Sequence, residues 1–220
     1  MNTFADLAKR VLAAQPRLGR TRLVAVDGPA GAGKSTFAAR LAGALRADGA
    51  TVAEVHTDDL LDGWTDLVSF WPRLDTQVLA PLRRGVPGAY RRYDWIAGRF
   101  VAQQTPVPVT DVLIVEGVTS ARAAVRDELT LSVLVAAPRE LRLARGIARD
   151  GEALRPQWLR WMADEAAHFA ADRTACHVDL RVDGAPQPPP DDPDREYVTW
   201  TPDPSPEDDP EDDHGEEFRS

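Results

Sequence analysis

Leu23-Val24-Ala25-Val26-Asp27-Gly28-Pro29-Ala30-Gly31-Ala32-Gly33-Lys34-Ser35 is the stretch from which the fold is read. Leu23 to Val26 is an apolar run with the length of a buried strand, and Ser35 to Arg46 carries a helical pattern that ends near Gly49. Between them, Gly28 to Ser35 fills the pattern G-x-x-x-x-G-K-[ST]. Glycines permit the backbone angles that turn successive N–H groups around a phosphate, and a helix N-terminus adds its positive end. Lys34 reaches the β and γ oxygens, and Ser35 can ligate Mg²⁺. A nucleoside triphosphate is therefore expected on Gly28, Ala30, Gly31, Ala32, Gly33, Lys34, Ser35 and Thr36. A glycine-rich turn with an incidental lysine would not account for a strand before it and a helix after it.

Outward from this loop, Thr51 to Val55 reads as a second strand, and the runs at 112–115 and 131–136 as buried parallel strands. Helices are expected at about 138–150 and 156–172, and a short last strand at Val178 to Val182. Strands alternating with helices predict an α/β protein, a three-layer P-loop NTPase fold with a parallel sheet covered on both faces. Phe4, Leu7, Ala8, Val11 and Leu12 fall at helical spacing, so residues 1–20 are expected to hold an amphipathic helix outside a domain of residues 21–183.

The 220 residues are 43% hydrophobic, enough for one sizeable core, and the lone Cys176 excludes an intrachain disulfide. No apolar run is long enough to span a bilayer and no targeting segment is visible, so a cytoplasmic protein without a membrane partner is expected. The net charge of -9 is unevenly placed. Residues 184–220 carry 13 acids against Arg195 and Arg219, together with nine of the 18 prolines. That composition predicts a disordered acidic, Pro-rich C-terminal tail, or an interaction tail docking through Tyr197, Val198 and Trp200. The remaining 24 bases against 22 acids form no basic patch, so no nucleic-acid partner is expected. Only Lys9 and Lys34 stand beside 24 arginines, which marks Lys34 as a place where a compact ammonium is needed.

Absences narrow the class. The guanine-reading Asn-Lys-x-Asp cannot occur, because the only asparagine is Asn2. The strand Asp111 to Glu116 ends in one carboxylate and Gly117, where a remodelling ATPase would usually carry Asp-Glu. After the second strand comes His56-Thr57-Asp58-Asp59. Ligands in an open parallel sheet lie beyond the carboxyl ends of the strands, so Asp58 can take the proton of an acceptor hydroxyl, or it can cap a helix. The weighting is reversed for Asp59.

These residues resemble the uridine kinase and phosphoribulokinase-like family of P-loop kinases, over about residues 20–183. Thr57-Asp58-Asp59-Leu60 is similar to the segment that holds the general base, and Asp75 to Gly85 to the helix and glycine before the substrate segment. Tyr93-Asp94-Trp95 resembles the Tyr-Asp-aromatic of that segment, Val115-Glu116-Gly117 the strand-end Glu-Gly, and Arg142, Arg145 and Arg149 the lid helix. The resemblance implies transfer of the γ-phosphoryl group of ATP to a hydroxyl of a small acceptor, a uridine- or cytidine-like nucleoside. Asp58, Lys34, Arg145 and Arg149 would be catalytic, Ser35 and Glu116 would hold Mg²⁺, and Asp59, Tyr93, Asp94 and Arg99 would meet the substrate.

The family's histidine after the Tyr-Asp-aromatic is replaced by the region of Gly98, and its proline before that tyrosine by Arg91-Arg92. Another acceptor, pantothenate-like or sugar-like, therefore stays open, as does an ATP-binding regulatory module without catalysis. Tyr93 and Trp95 could stack an aromatic acceptor or belong to the core, and Arg99 could bind acceptor oxygens or solvate a loop. Trp158, Trp161, Met162, Ala166 and Phe169 fall near helical spacing and are expected in the core. No zinc site is expected, and a homo-oligomer remains open.

Overall fold

Burial explains the sheet before its connections are traced. In the computed structural model, which describes residues 2–200, every residue of Val112–Glu116 is buried, as are all but the first of Arg22–Asp27. Unbroken burial is what a strand covered on both faces requires. The elements in chain order are β1 (Asn2–Thr3), α1 (Phe4–Ala13), β2 (Arg22–Asp27), α2 (Lys34–Ala47), β3 (Val52–His56), α3 (Trp71–Leu74), α4 (Ala80–Arg83), β4 (Gly88–Asp94), β5 (Arg99–Val107), β6 (Val112–Glu116), β7 (Leu129–Ala136), α5 (Arg139–Asp150), α6 (Arg155–Asp172), α7 (Thr174–His177), β8 (Leu180–Asp183) and β9 (Glu196–Tyr197). A π-helical turn, Asp75–Leu79, joins α3 to α4.

Strands β3-β6-β2-β7-β8 form one parallel sheet in that order. Because side chains alternate across a strand, Val24, Val26, Ile114 and Val133 face α1 and α2, packing with Phe4, Leu7, Phe37 and Leu41. Leu23, Ala25, Leu113 and Val115 face the other way, onto Phe70, Leu74, Leu82 and Trp161. The result is the expected three-layer α/β architecture. Helix α1 starts where Thr3 Oγ1 accepts the Asp6 amide at 3.1 Å and donates to the Asp6 carboxylate at 2.7 Å, a reciprocal N-terminal cap.

Two features were not expected. Strands β4 and β5 form a separate antiparallel hairpin, whose tip is closed by Asp94 Oδ1 accepting the Ile96 and Ala97 amides at 3.0 and 2.9 Å. The second corrects the tail, because residues 184–200 fold back onto the domain. The Asp183 amide donates to the Val198 carbonyl at 2.9 Å, and β9 pairs antiparallel with β1. Tyr197 is then buried between Phe4 and Phe37, ring centroids 5.2 and 5.5 Å away. A composition average says "disordered" here, but one aromatic inserted between two others outweighs the average locally. The folded unit therefore extends past residue 183, and residues 201–220 of the expected tail lie outside the described residues. Among the described residues no helix is long and apolar enough to cross a membrane.

Candidate active site

The glycine-rich loop leaves the end of the central strand β2 and enters α2, with Gly33 (φ 105°) as the cap residue. Gly28 has φ 136°, and any Cβ there would collide with the Val135 carbonyl of the neighbouring strand, so the start of the loop admits only glycine. Lys34 is buried, and its Nζ donates to the Pro29 carbonyl at 3.1 Å, which holds the ammonium across the loop. Asp27, fully buried below, accepts the amides of Gly28 (2.6 Å), Thr119 (2.8 Å) and Ala121 (2.8 Å). Burial pushes its carboxyl up to about 6 despite those amides and nearby Lys34.

One cleft of about 1090 Å³ runs past this loop. Ala30, Gly31, Gly33, Lys34, Ser35 and Thr36 line it, whereas Gly28 and Ala32 are buried and outside its lining. Asp58 and Glu116 enter the same cleft from the ends of β3 and β6. Ser35 Oγ donates to Glu116 Oε1 at 3.0 Å, and His56 Nδ1 lies 2.7 Å from Glu116 Oε2. Burial would raise the Glu116 pKa, but the His56 hydrogen bond, Lys34 and Ser35 overcome it and hold the carboxyl below its usual range. The same hydrogen bond raises the pKa of His56. Ser35 and Glu116 thus form an oxygen-donor pair beside the cradle, a fit for a hard cation such as Mg²⁺. Gly117 follows because a Cβ there would strike the Thr57 side chain.

The two adjacent aspartates have different surroundings. Asp59 is occupied: Tyr90 Oη donates to it at 3.0 Å and Arg92 Nε at 3.1 Å, so it anchors the β4–β5 hairpin. The Asp58 carboxylate faces the cleft and caps no helix, since the short 3₁₀ turn Thr57–Asp59 has no side-chain cap. Crowding by protein raises its pKa, Lys34 and Arg149 pulling the other way and Glu116 adding to the rise.

Helix α5 brings Arg145 and Arg149 to the opposite side. Arg145 donates to the carbonyls of Gly31 (3.0 Å) and Gly184 (3.3 Å), and Arg149 forks onto Asp150 at 2.7 and 3.0 Å over the face of Trp158. Behind them Glu165 of α6, 1% exposed, accepts the Ala30 amide at 2.8 Å and Arg142 Nη1 at 2.6 Å. That ties the loop to both α5 and α6 and commits the Ala30 amide within the protein.

The structure brings Lys34, Ser35, Asp58, Glu116, Arg145 and Arg149 together. It keeps Tyr93, Asp94 and Arg99 out of the cleft lining. Tyr93 packs edge-on against Trp95 and Phe100 at 5.2 Å each, Asp94 closes the hairpin tip, and Arg99 is an exposed residue paired with Asp94 across the hairpin. Trp95 and Ile96 at the tip reach the cleft instead, with Trp64, Trp158 and Trp161. Trp158 and Trp161 are buried as expected for core residues, and they are also walls of the cleft. Sequence reasoning missed Glu165, although an acid seven residues after Trp158 sits on the apolar stripe of its helix and is a readable signal. It also missed Trp64, which stands in a loop with no periodicity to mark it.

No protein-family profile and no curated protein sequence matches the chain. Solved structures do. A protein described as a possible uridine kinase from Bacillus stearothermophilus aligns with a TM-score of 0.61 at 19% identity, over 81% of this chain and 96% of that one. A protein assigned by name as a fructose transport system kinase from Silicibacter aligns with a TM-score of 0.52 at 24% identity, over 81% and 91%. The chain shares the α/β P-loop fold of these solved structures.

Proposed function

We propose that this chain is an ATP-dependent small-molecule kinase that transfers the γ-phosphoryl group of ATP to a hydroxyl of its acceptor, with a nucleoside as the favoured acceptor. The observation that carries this reading is the Asp58 carboxylate, facing the cleft that Lys34, Ser35 and Glu116 also line. A regulatory module needs the loop but has no use for a base. The structural neighbours named as kinases of uridine and of a fructose transport system support a small hydroxyl acceptor.

The loop amides and Lys34 would hold the triphosphate, and Ser35 with Glu116 would hold Mg²⁺, which neutralises charge on the phosphate oxygens. The acceptor oxygen forms its bond to the γ-phosphorus as the bond to the β–γ bridging oxygen breaks, and Asp58 takes the acceptor's proton. A carboxyl pKa raised by crowding makes Asp58 a stronger base than a solvated aspartate. Arg145 and Arg149 are placed to meet charge that spreads over the equatorial oxygens.

The test is acceptor-dependent ADP release across nucleosides and small alcohols. Lys34→Ala should lower turnover at least about a hundredfold, some 2.7 kcal/mol of transition-state stabilisation, with an unchanged circular dichroism spectrum. ATP binding without release for any acceptor would assign the chain to the regulatory module instead.

A further inference from the structure

The end of the cleft next to Asp58 has an unusual chemical make-up. Trp64 stands at its centre, with Trp95, Trp158 and Trp161 set edge-to-face around it at 5.7, 6.0 and 5.9 Å, and Leu61 and Val118 complete the wall. Part of the polar inventory of this end is committed inside the protein, whereas the Trp161 indole N–H is buried without a partner among the described residues. Trp95 Nε1 donates to the Asp58 carbonyl at 3.1 Å and Trp158 Nε1 to Asp150 at 3.0 Å. Arg149 is forked onto Asp150, and Asp59 onto Tyr90 and Arg92. Lys34 and Arg145 belong to the phosphate loop. What remains for an acceptor is the indole surface of Trp64 and Trp95, aliphatic surface, the Trp161 N–H and one carboxylate.

From this we infer the acceptor class, on the footing of the kinase reading above: an uncharged alcohol with a flat apolar or aromatic body, held mainly through the ring faces of Trp64 and Trp95. Ring faces tolerate any flat partner, because every such body offers a π surface or an apolar one. An acceptor carrying a carboxylate would place a second negative charge beside Asp58 with no uncommitted cation to offset it, which opposes binding. Trp95 and Ile96, 40% exposed and fully exposed, form the apolar lip through which such a body enters. Pyrimidine nucleosides, purine nucleosides and simple aryl alcohols should thus be accepted alike, and pantothenate-like hydroxy acids rejected.

The experiment saturates the full-length chain with a non-hydrolysable ATP analogue and titrates uridine, guanosine, naphthylmethanol and the same naphthyl alcohol bearing a ring carboxylate, read by calorimetry. The three neutral compounds should bind within about tenfold of one another and the carboxylated one at least about thirtyfold more weakly. Trp95→Ala should weaken neutral binding about tenfold with the ATP-analogue affinity unchanged, and Trp95→Phe should restore most of it. Preference for the carboxylated alcohol overturns the inference, and so does binding of one nucleoside with rejection of the others. Phosphoryl transfer from ATP is then measured with the same four compounds. Transfer to the carboxylated alcohol alone leaves the kinase reading standing and removes this one. Binding of the neutral set without transfer to any of them does the reverse.

Discussion

The Glu165 carboxylate accepts the Ala30 amide at 2.8 Å across 135 residues of sequence, and so fixes one edge of the glycine-rich loop from helix α6. Arg142 completes the arrangement, and both side chains are withdrawn from water. Replacing Glu165 with Leu leaves the Arg142 guanidinium unpaired, and urea unfolding should show a loss of about 3 kcal/mol. The ATP dissociation constant should rise about tenfold as the loop loses its brace. Glu165→Gln keeps an acceptor for the Ala30 amide and should lose less on both measures. Equal stability of Glu165→Leu and the parent chain would remove the brace from the account.

Asp58→Asn keeps the size of the side chain and removes its capacity to take a proton. Turnover should fall about 10² to 10⁴-fold with ATP affinity nearly unchanged. In the parent chain the base must be ionised, so turnover should fall with decreasing pH through a value above the ordinary 3.8 of an aspartate, because crowding raises it. A wild-type rate in Asp58→Asn would move the base elsewhere, since no capping role competes for this residue.

Asp27 gives a pH signature in stability. Its folded pKa of about 6 lies above the 3.8 of the unfolded chain, so between those values the folded state binds more protons. Stability from this group therefore rises as pH falls from about 6 to about 4 and levels off below. The two-unit separation corresponds to about 3 kcal/mol. Asp27→Asn should lack this rise when denaturation midpoints are compared across the same pH range, and parallel curves for the two proteins would contradict the assignment.

Removing residues 184–200 deletes the β1–β9 pair and the Tyr197 ring between Phe4 and Phe37. A chain ending at Asp183 should melt more than about 5 °C below one ending at Trp200, measured by calorimetry. Tyr197→Ala alone should give a large part of that drop. An unchanged midpoint would mean that the contacts add nothing to the domain.

The parallel sheet was legible because each strand reports its own burial: Leu23 to Val26 and Val112 to Val115 have no polar residue to place on a wet face. The phosphate loop was legible because its geometry depends on glycines and a lysine at fixed positions. The β4–β5 hairpin was not, since Arg91, Arg92, Gln103 and Gln104 give it no apolar alternation, and it is held by distant contacts such as Asp59 with Tyr90. For the same reason the packing of Tyr93 on Trp95 and Phe100 and the turn closed by Asp94 cannot be read from the sequence. Residues 184–200 were legible only as the alternative of docking through Tyr197, Val198 and Trp200, because composition is an average over a segment, whereas docking depends on where Tyr197 lands.

The pairing of Asn2–Thr3 with Glu196–Tyr197 makes the backbone almost a closed ring. A ring can be cut anywhere that its strands do not need continuity, so a short linker joining these two ends would permit new termini at the β4–β5 tip, near Ile96, without touching the order of the sheet. Such a permuted protein would carry its ends at the mouth of the cleft, where a fused reporter could register occupancy directly.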